Sequence, residues 1–169
     1  MESARLLIRP MEAADEDAFV SGIAGRALRT TYGFPAEMDD GTARQIFGHF
    51  CGLDYACSLF EKSSRRMIGF LLAVSPELPD DVRADLPEKG KTLAYAVYPP
   101  FQRRGYMAET LQAVIQQLFG TGTADFVHCG HFEENIPSRE LLHKLGFQEY
   151  GRHKSGDRLI IDEILRWNA

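Results

Sequence analysis

At 169 residues, 44% of them hydrophobic, the chain has the length of one domain and enough apolar material for a substantial core. No apolar run reaches the length of a membrane span, and the first residues lack the apolar region of a secretory signal. Three cysteines without a CxxC pair point to a reducing, cytoplasmic setting, while a net charge of −5 argues against general nucleic-acid binding and suits a cationic partner.

In chain order, Arg5 to Arg9 reads as a strand, and Asp15 to Ile23 as a short helix entered through acidic residues. Arg26 to Gly52 is helical, broken near Gly33-Phe34-Pro35, with Ile46, Phe47 and Phe50 as its apolar stripe. Tyr55 to Glu61 and Met67 to Val74 make a hairpin around Lys62-Ser63-Ser64-Arg65. Pro76 to Lys91 is a loop rich in proline and charge. Thr92 to Val97 is a strand. The next helix follows Gly105, carries Met107, Leu111, Val114, Ile115, Leu118 and Phe119 on one stripe, and ends at Gly120 and Gly122. Asp125 to Phe132 is a strand. Ile136 to Leu145 is a helix capped by Asn135, with Pro137 in its first turn and Gly146 at its end. Gln148 to Lys154 and Arg158 to Trp167 close the chain as a hairpin. Strand–helix–strand order with crossovers implies at least two parallel neighbours. No repeat or linker divides the chain, so residues 1–169 read as a single domain.

The stretch Gln102-Arg103-Arg104-Gly105-Tyr106-Met107-Ala108-Glu109 joins a strand to a helix start. Unpaired N–H groups and the positive end of the helix dipole can hold phosphate there. Gly105 permits close backbone approach, and Arg103 and Arg104 match phosphate oxygens. The loop lacks the glycines of the dinucleotide fingerprint and the Gly-Lys-Ser/Thr of the P-loop.

The segment Tyr95-Ala96-Val97-Tyr98-Pro99 through Gln102 to Glu109 resembles the acetyl-CoA motif of the GNAT superfamily of N-acetyltransferases. Asn135-x-x-Ser138, followed by Lys144-Leu145-Gly146-Phe147, is similar to the family's second signature, and Arg5 to Pro10 resembles the first strand of the ribosomal-protein N-terminal acetyltransferase branch. The resemblance implies an α/β (α+β) fold with a mixed, mostly antiparallel sheet and helices on both faces. It also implies direct attack by a primary amine on acetyl-CoA in a ternary complex. Acetyl-CoA, as cosubstrate, would lie on Tyr95, Val97, Tyr98, Gln102, Arg103, Arg104, Gly105, Tyr106, Met107, Ala108, Asn135 and Ser138. A backbone N–H at Val97 or Tyr98 would polarise the thioester carbonyl, and Asn135 would bond pantetheine.

Two departures matter. Met107 stands where the motif has Gly or Ala, and is tolerable if the contact is made by its N–H. Leu142 stands where many relatives carry a tyrosine that protonates the leaving thiolate, which makes Ser138 the candidate acid, as in the ribosomal-protein branch. The Glu that many relatives place on the strand before the loop is missing from Lys91-Thr92-Leu93-Ala94-Tyr95. Glu133, Glu134, His128, His131 and Tyr95 are the other base candidates, none of them assigned, and a water relay could serve an N-terminal amine of pKa ~8. The cluster His128-Cys129-x-His131 lacks a second half for zinc, so no metal is expected, and Cys57 and Cys129 read as buried apolar residues. The acceptor is a protein N-terminus or a small amine, with no nucleic-acid or membrane partner and a monomer or homodimer as the assembly. A non-catalytic acyl-CoA sensor on the same fold is the alternative.

Overall fold

Strand β1 (Leu6–Pro10) pairs antiparallel with β2 (Ala56–Glu61), which pairs antiparallel with β3 (Met67–Val74). These strands occur in a computed structural model that describes every residue except 79–82, 84, 168 and 169. Between β1 and β2 the chain forms helices α1 (Glu16–Gly22), α2 (Arg26–Thr31) and α3 (Asp40–Cys51). β4 (Gly90–Val97) leads through a 3₁₀ turn at Pro99–Phe101 to helix α4 (Tyr106–Gly120). β5 (Phe126–Phe132), helix α5 (Ile136–Lys144), β6 (Gln148–Ser155) and β7 (Arg158–Arg166) complete the chain. The seven strands hydrogen-bond in the order β1-β2-β3-β4-β5-β7-β6, with β4 and β5 parallel and β7 antiparallel to both β5 and β6. This is the mixed, mostly antiparallel α/β sheet that the sequence implied.

The chain divides into two compact units. The first comprises Met1–Ala73 and Tyr95–Ala113, and its core joins Leu6, Ile8, Leu59, Ile68 and Leu111 to an aromatic cluster. In that cluster Phe19 lies 5.3 Å from both Phe47 and Phe70 and 5.7 Å from Phe50, which ties α1 and α3 to β3. Gly69 has no room for a side chain: a Cβ there would lie 2.1 Å from the Ala96 carbonyl oxygen, so β3 and β4 approach backbone to backbone. The second unit comprises Val74–Ala94 and Val114–Ala169, with Phe126, Val127, Cys129, Leu142, Phe147 and Ile164 in its interior. Of the loop expected over Pro76 to Lys91, residues 79–82 and 84 lie outside the described residues, and its end is shorter than expected because β4 already begins at Gly90.

Candidate active site

The loop after β4 is shaped by two left-handed residues within three positions. Arg103 has φ 60° and Gly105 φ 79°, and only the second is a residue suited to that region. Helix α4 then starts, and its first intrahelical bond runs from Glu109 N–H to Gly105 O at 3.2 Å. The N–H groups of Tyr106, Met107 and Ala108 precede that bond, as helix starts require. Met107 is itself buried, so its long side chain enters the core and leaves the loop surface to the backbone.

Arg5, Glu61 and Glu109, none of them expected from the sequence among the cofactor-binding residues, brace this loop. Arg5 donates to the Arg104 carbonyl at 2.9 Å, pairs with Glu109 at 2.8 Å, and lies 4.6 Å from the Tyr106 ring centre. The Tyr106 hydroxyl donates to Glu61 on β2. Burial pushes the Glu109 carboxyl up, but hydrogen bonds from Ser3 and Arg5 outweigh it, so the group stays below the usual carboxylate range. On the other side, the Gln102 amide donates to the Val97 carbonyl at 2.8 Å and ties the loop to the end of β4.

The two backbone donors considered at the end of β4 differ. Tyr98 N–H donates to Ile68 O on β3 at 2.8 Å, so it is already used. Successive strand residues present their N–H groups to opposite edges, so that of Val97 points away from β3. The Tyr98 ring is also committed: it lies where a Cβ on Gly22 would meet it at 2.3 Å, its hydroxyl reaches Met67 Sδ at 3.9 Å, and burial drives its pKa far up. Burial likewise raises the Tyr32 phenol, against an opposing hydrogen bond from the Val97 backbone. Tyr95 is half-buried on β4.

Asn135 and Ser138 lie in the second unit at the start of α5. Asn135 Oδ1 accepts Ser138 N–H at 3.3 Å, a helix cap that leaves the Asn135 amide N–H₂ for other partners. Leu142 is fully buried, a core residue where the family tyrosine would stand.

The remaining base candidates are mostly spoken for. His128 Nε2 bonds Asp162 at 2.9 Å and its Nδ1 bonds Thr92 at 3.0 Å, while Asp162 also holds His153 at 2.8 Å. Burial pushes the Asp162 carboxyl up, but the hydrogen bonds from His128 and His153 hold it below its ordinary value. On the next residue, Glu163 Oε1 holds His143 at 2.8 Å and His131 at 3.4 Å, and its Oε2 has no partner. Adjacent β7 residues face opposite ways, so the two carboxylates serve opposite faces. Glu134 pairs with Arg158 at 2.6 Å, and Glu133 lies 3.7 Å from Arg152. Cys57 and Cys129 are buried free thiols that burial pushes up, Cys57 to about 11, so neither is an activated nucleophile. Among the described residues no group of three or more His, Cys, Asp or Glu could hold a metal ion, and no helix is long and apolar enough to cross a membrane.

Residues 5–148 match the family model of the acetyltransferase (GNAT) domain. No curated protein matches the chain in sequence. Among solved structures the chain is similar to a GNAT-family acetyltransferase from Bacillus anthracis, at 16% identity and TM-score 0.82 over 98% of this chain and 97% of that one. It is also similar to an acetyl transferase from Salmonella typhimurium that modifies the N-terminal serine of ribosomal protein L7/L12 (17% identity, TM-score 0.79, covering 98% and 97%). A third is RimL, a ribosomal L7/L12 alpha-N-protein acetyltransferase in complex with coenzyme A, at 17% identity and TM-score 0.80, covering 97% and 95%. At these identities the likeness shows a shared fold.

Proposed function

Since the chain belongs to the GNAT acetyltransferase family and is an acyltransferase, we propose that it carries the acetyl group of acetyl-CoA to a primary amine by direct attack in a ternary complex. The observation that carries this reading is the braced loop Gln102 to Ala108, with free-standing N–H groups at a helix start and two arginines beside them. The pyrophosphate would bind there, and pantetheine would run along Tyr95 to Val97, with the Asn135 amide as a further donor. Both backbone donors weighed have partners, Tyr98 N–H in Ile68 O and Val97 N–H in the Tyr32 phenol, and Val97 is favoured because a side-chain hydroxyl gives way to a thioester oxygen more readily than a strand-to-strand bond does.

In the proposed reaction the neutral amine nitrogen attacks the thioester carbon while the Val97 N–H donates to the developing oxyanion. The C–S bond then breaks, the thiolate takes a proton from the Ser138 hydroxyl, and the proton lost by the amine passes through water back to Ser138. The acceptor is a protein N-terminus or a small amine, and the first is favoured by the ribosomal-protein acetyltransferases among the structural neighbours. Residues 1–169 would act as one catalytic domain, in the cytoplasm, as a monomer or homodimer, without nucleic-acid or membrane partners.

Two observations support a second reading, a non-catalytic acyl-CoA sensor: the core leucine at 142 and the histidines tied up by Asp162 and Glu163. Incubation with acetyl-CoA and a panel of peptide N-termini and small amines separates the two. Release of free CoA that depends on one class of amine supports transfer. Saturable acetyl-CoA binding with no turnover on any amine supports the sensor.

A further inference from the structure

The Val97 N–H, favoured above as donor to the thioester oxygen, points away from β3, and the phenol oxygen of Tyr32 accepts from it. Tyr32 is half-buried and caps the C-terminus of α2, where its own N–H donates to Leu28 O at 3.1 Å. The segment that carries it is fixed by a buried guanidinium. Arg29 donates to Ile23 O at 2.7 Å, just before α2, and to Met38 O at 2.8 Å, beyond it. A guanidinium is costly to bury, and main-chain carbonyls on both sides of the helix offset that cost here. The Arg29 carbonyl accepts Phe34 N–H at 2.8 Å, with Gly33 at φ 77° making the turn between them. Phe34 then lies 6.3 Å from Phe70 and 6.4 Å from Phe50. Tyr32 is therefore held against the end of β4 by contacts on both sides of it in the chain.

A hydroxyl that accepts through a lone pair keeps its hydrogen to donate elsewhere. Burial raises the Tyr32 phenol above its ordinary value and so keeps that hydrogen in place at neutral pH. The phenol oxygen also marks the spot at which an oxygen accepts from Val97. A thioester oxygen that takes the N–H displaces the phenol by about one hydrogen-bond length, ~2.7 Å. That shift puts the phenol O–H within reach of the second lone pair of the same thioester oxygen. A backbone N–H on one lone pair and a hydroxyl on the other is what a carbonyl oxygen needs as it turns into an oxyanion.

We propose that Tyr32 is a second oxyanion donor in acetyl transfer, its hydroxyl changing from acceptor of the Val97 N–H to donor to the thioester oxygen. The inference rests on the acetyl-transfer reading above and adds a catalytic residue to it. As the amine nitrogen bonds to the thioester carbon, the carbonyl π pair moves onto oxygen and is held by both donors. As the C–S bond breaks, the pair returns and the carbonyl re-forms. Tyr32 keeps its proton throughout, so the proton path through Ser138 and water is unchanged. A neutral carbonyl gains less from the second donor than an oxyanion does, so the contribution falls on the transition state.

The test compares the wild-type chain with Tyr32→Phe, which removes one oxygen and keeps the ring. Steady-state kinetics use acetyl-CoA and the amine of the panel above that the wild type acetylates fastest, beside calorimetric titration with acetyl-CoA alone. Tyr32→Phe should lower kcat ~100-fold, as loss of one oxyanion donor does. Its acetyl-CoA affinity should be unchanged or tighter, because the thioester oxygen no longer competes with the phenol for the Val97 N–H. A merely structural tyrosine would give the reverse pattern, a lower melting temperature with kcat kept per folded molecule. A fall in kcat of less than ~10-fold in the folded variant, whatever its affinity, would overturn the assignment and leave acetyl transfer in place. A folded wild-type protein that acetylates no amine of the panel would overturn both.

Discussion

The loop of residues 102–108 in the first unit and the β5–β7–β6 region of the second are both rich in ionisable groups, and they use them in opposite ways. Around the loop, Arg5 pairs with Glu109 and Glu61 accepts from Tyr106, contacts that hold the backbone and leave the N–H groups of Tyr106, Met107 and Ala108 at the helix start. On β7, Asp162 and Glu163 are each buried and each bonded to two histidines, Asp162 through both carboxylate oxygens and Glu163 through Oε1 alone. Reactive side chains clustered in the sequence therefore say little by themselves. A cluster whose polar groups bond one another inside the fold maintains the fold, and backbone donors left without a partner at a helix start wait for a ligand.

The largest test of this contrast is on the side of the bonded carboxylates. Asp162→Ala should strip His128 and His153 of their partner and cost roughly 3 kcal/mol or more of stability in urea denaturation. Acetyl-CoA affinity of the folded fraction should stay unchanged. A variant of wild-type stability with impaired transfer would move this cluster to the functional side of the comparison.

On the second unit's helix start, Ser138→Ala should lower kcat ~100-fold with little change in acetyl-CoA affinity, because proton donation acts in the transition state. Asn135→Ala should instead weaken acetyl-CoA binding severalfold, together with a loss of about 1 kcal/mol from the missing cap. Steady-state kinetics beside thermal melts distinguish these effects. Lower melting temperatures with kcat and binding preserved per folded molecule would make both residues caps alone.

The smallest effect is on the acid limb of stability. The Asp162 carboxyl is held below its ordinary value, so its contribution is present above the unfolded value of ~3.9 and is lost as pH falls through the lower folded value. Asp162→Asn should flatten the fall in stability below about pH 4. A slope equal to that of the wild type would assign the acid loss to other carboxylates, Asp15 first among them.

The sequence carried the fold further than the site. Apolar spacing and punctuation located helix α4 after Gly105, the cap at Asn135, the hairpin of β2 and β3, and the parallel pair of β4 and β5, because each is written in local pattern. Partners far apart in sequence were not legible. Glu109 meets Arg5 across more than a hundred positions and His128 meets Asp162 across more than thirty, and no periodicity encodes such pairs. The left-handed backbone at Arg103 was hidden for another reason: arginine is not a residue whose presence signals that conformation. The choice between Val97 and Tyr98 as donor required the register against β3, which a single strand pattern does not contain.

The central claim is that the backbone of the 102–108 loop binds the cofactor, and it is tested most directly by titrating acetyl-CoA into wild-type and Gly105→Val protein by calorimetry. A Cβ at Gly105 has room, its nearest neighbour being Arg5 Nη2 at 3.5 Å, but φ 79° is strained for valine, so the substitution should shift the loop while leaving the core intact. Saturable binding by the wild type, and at least ~10-fold weaker binding by a variant with an unchanged circular dichroism spectrum, is the result this account predicts. An unchanged dissociation constant for the folded variant would contradict it.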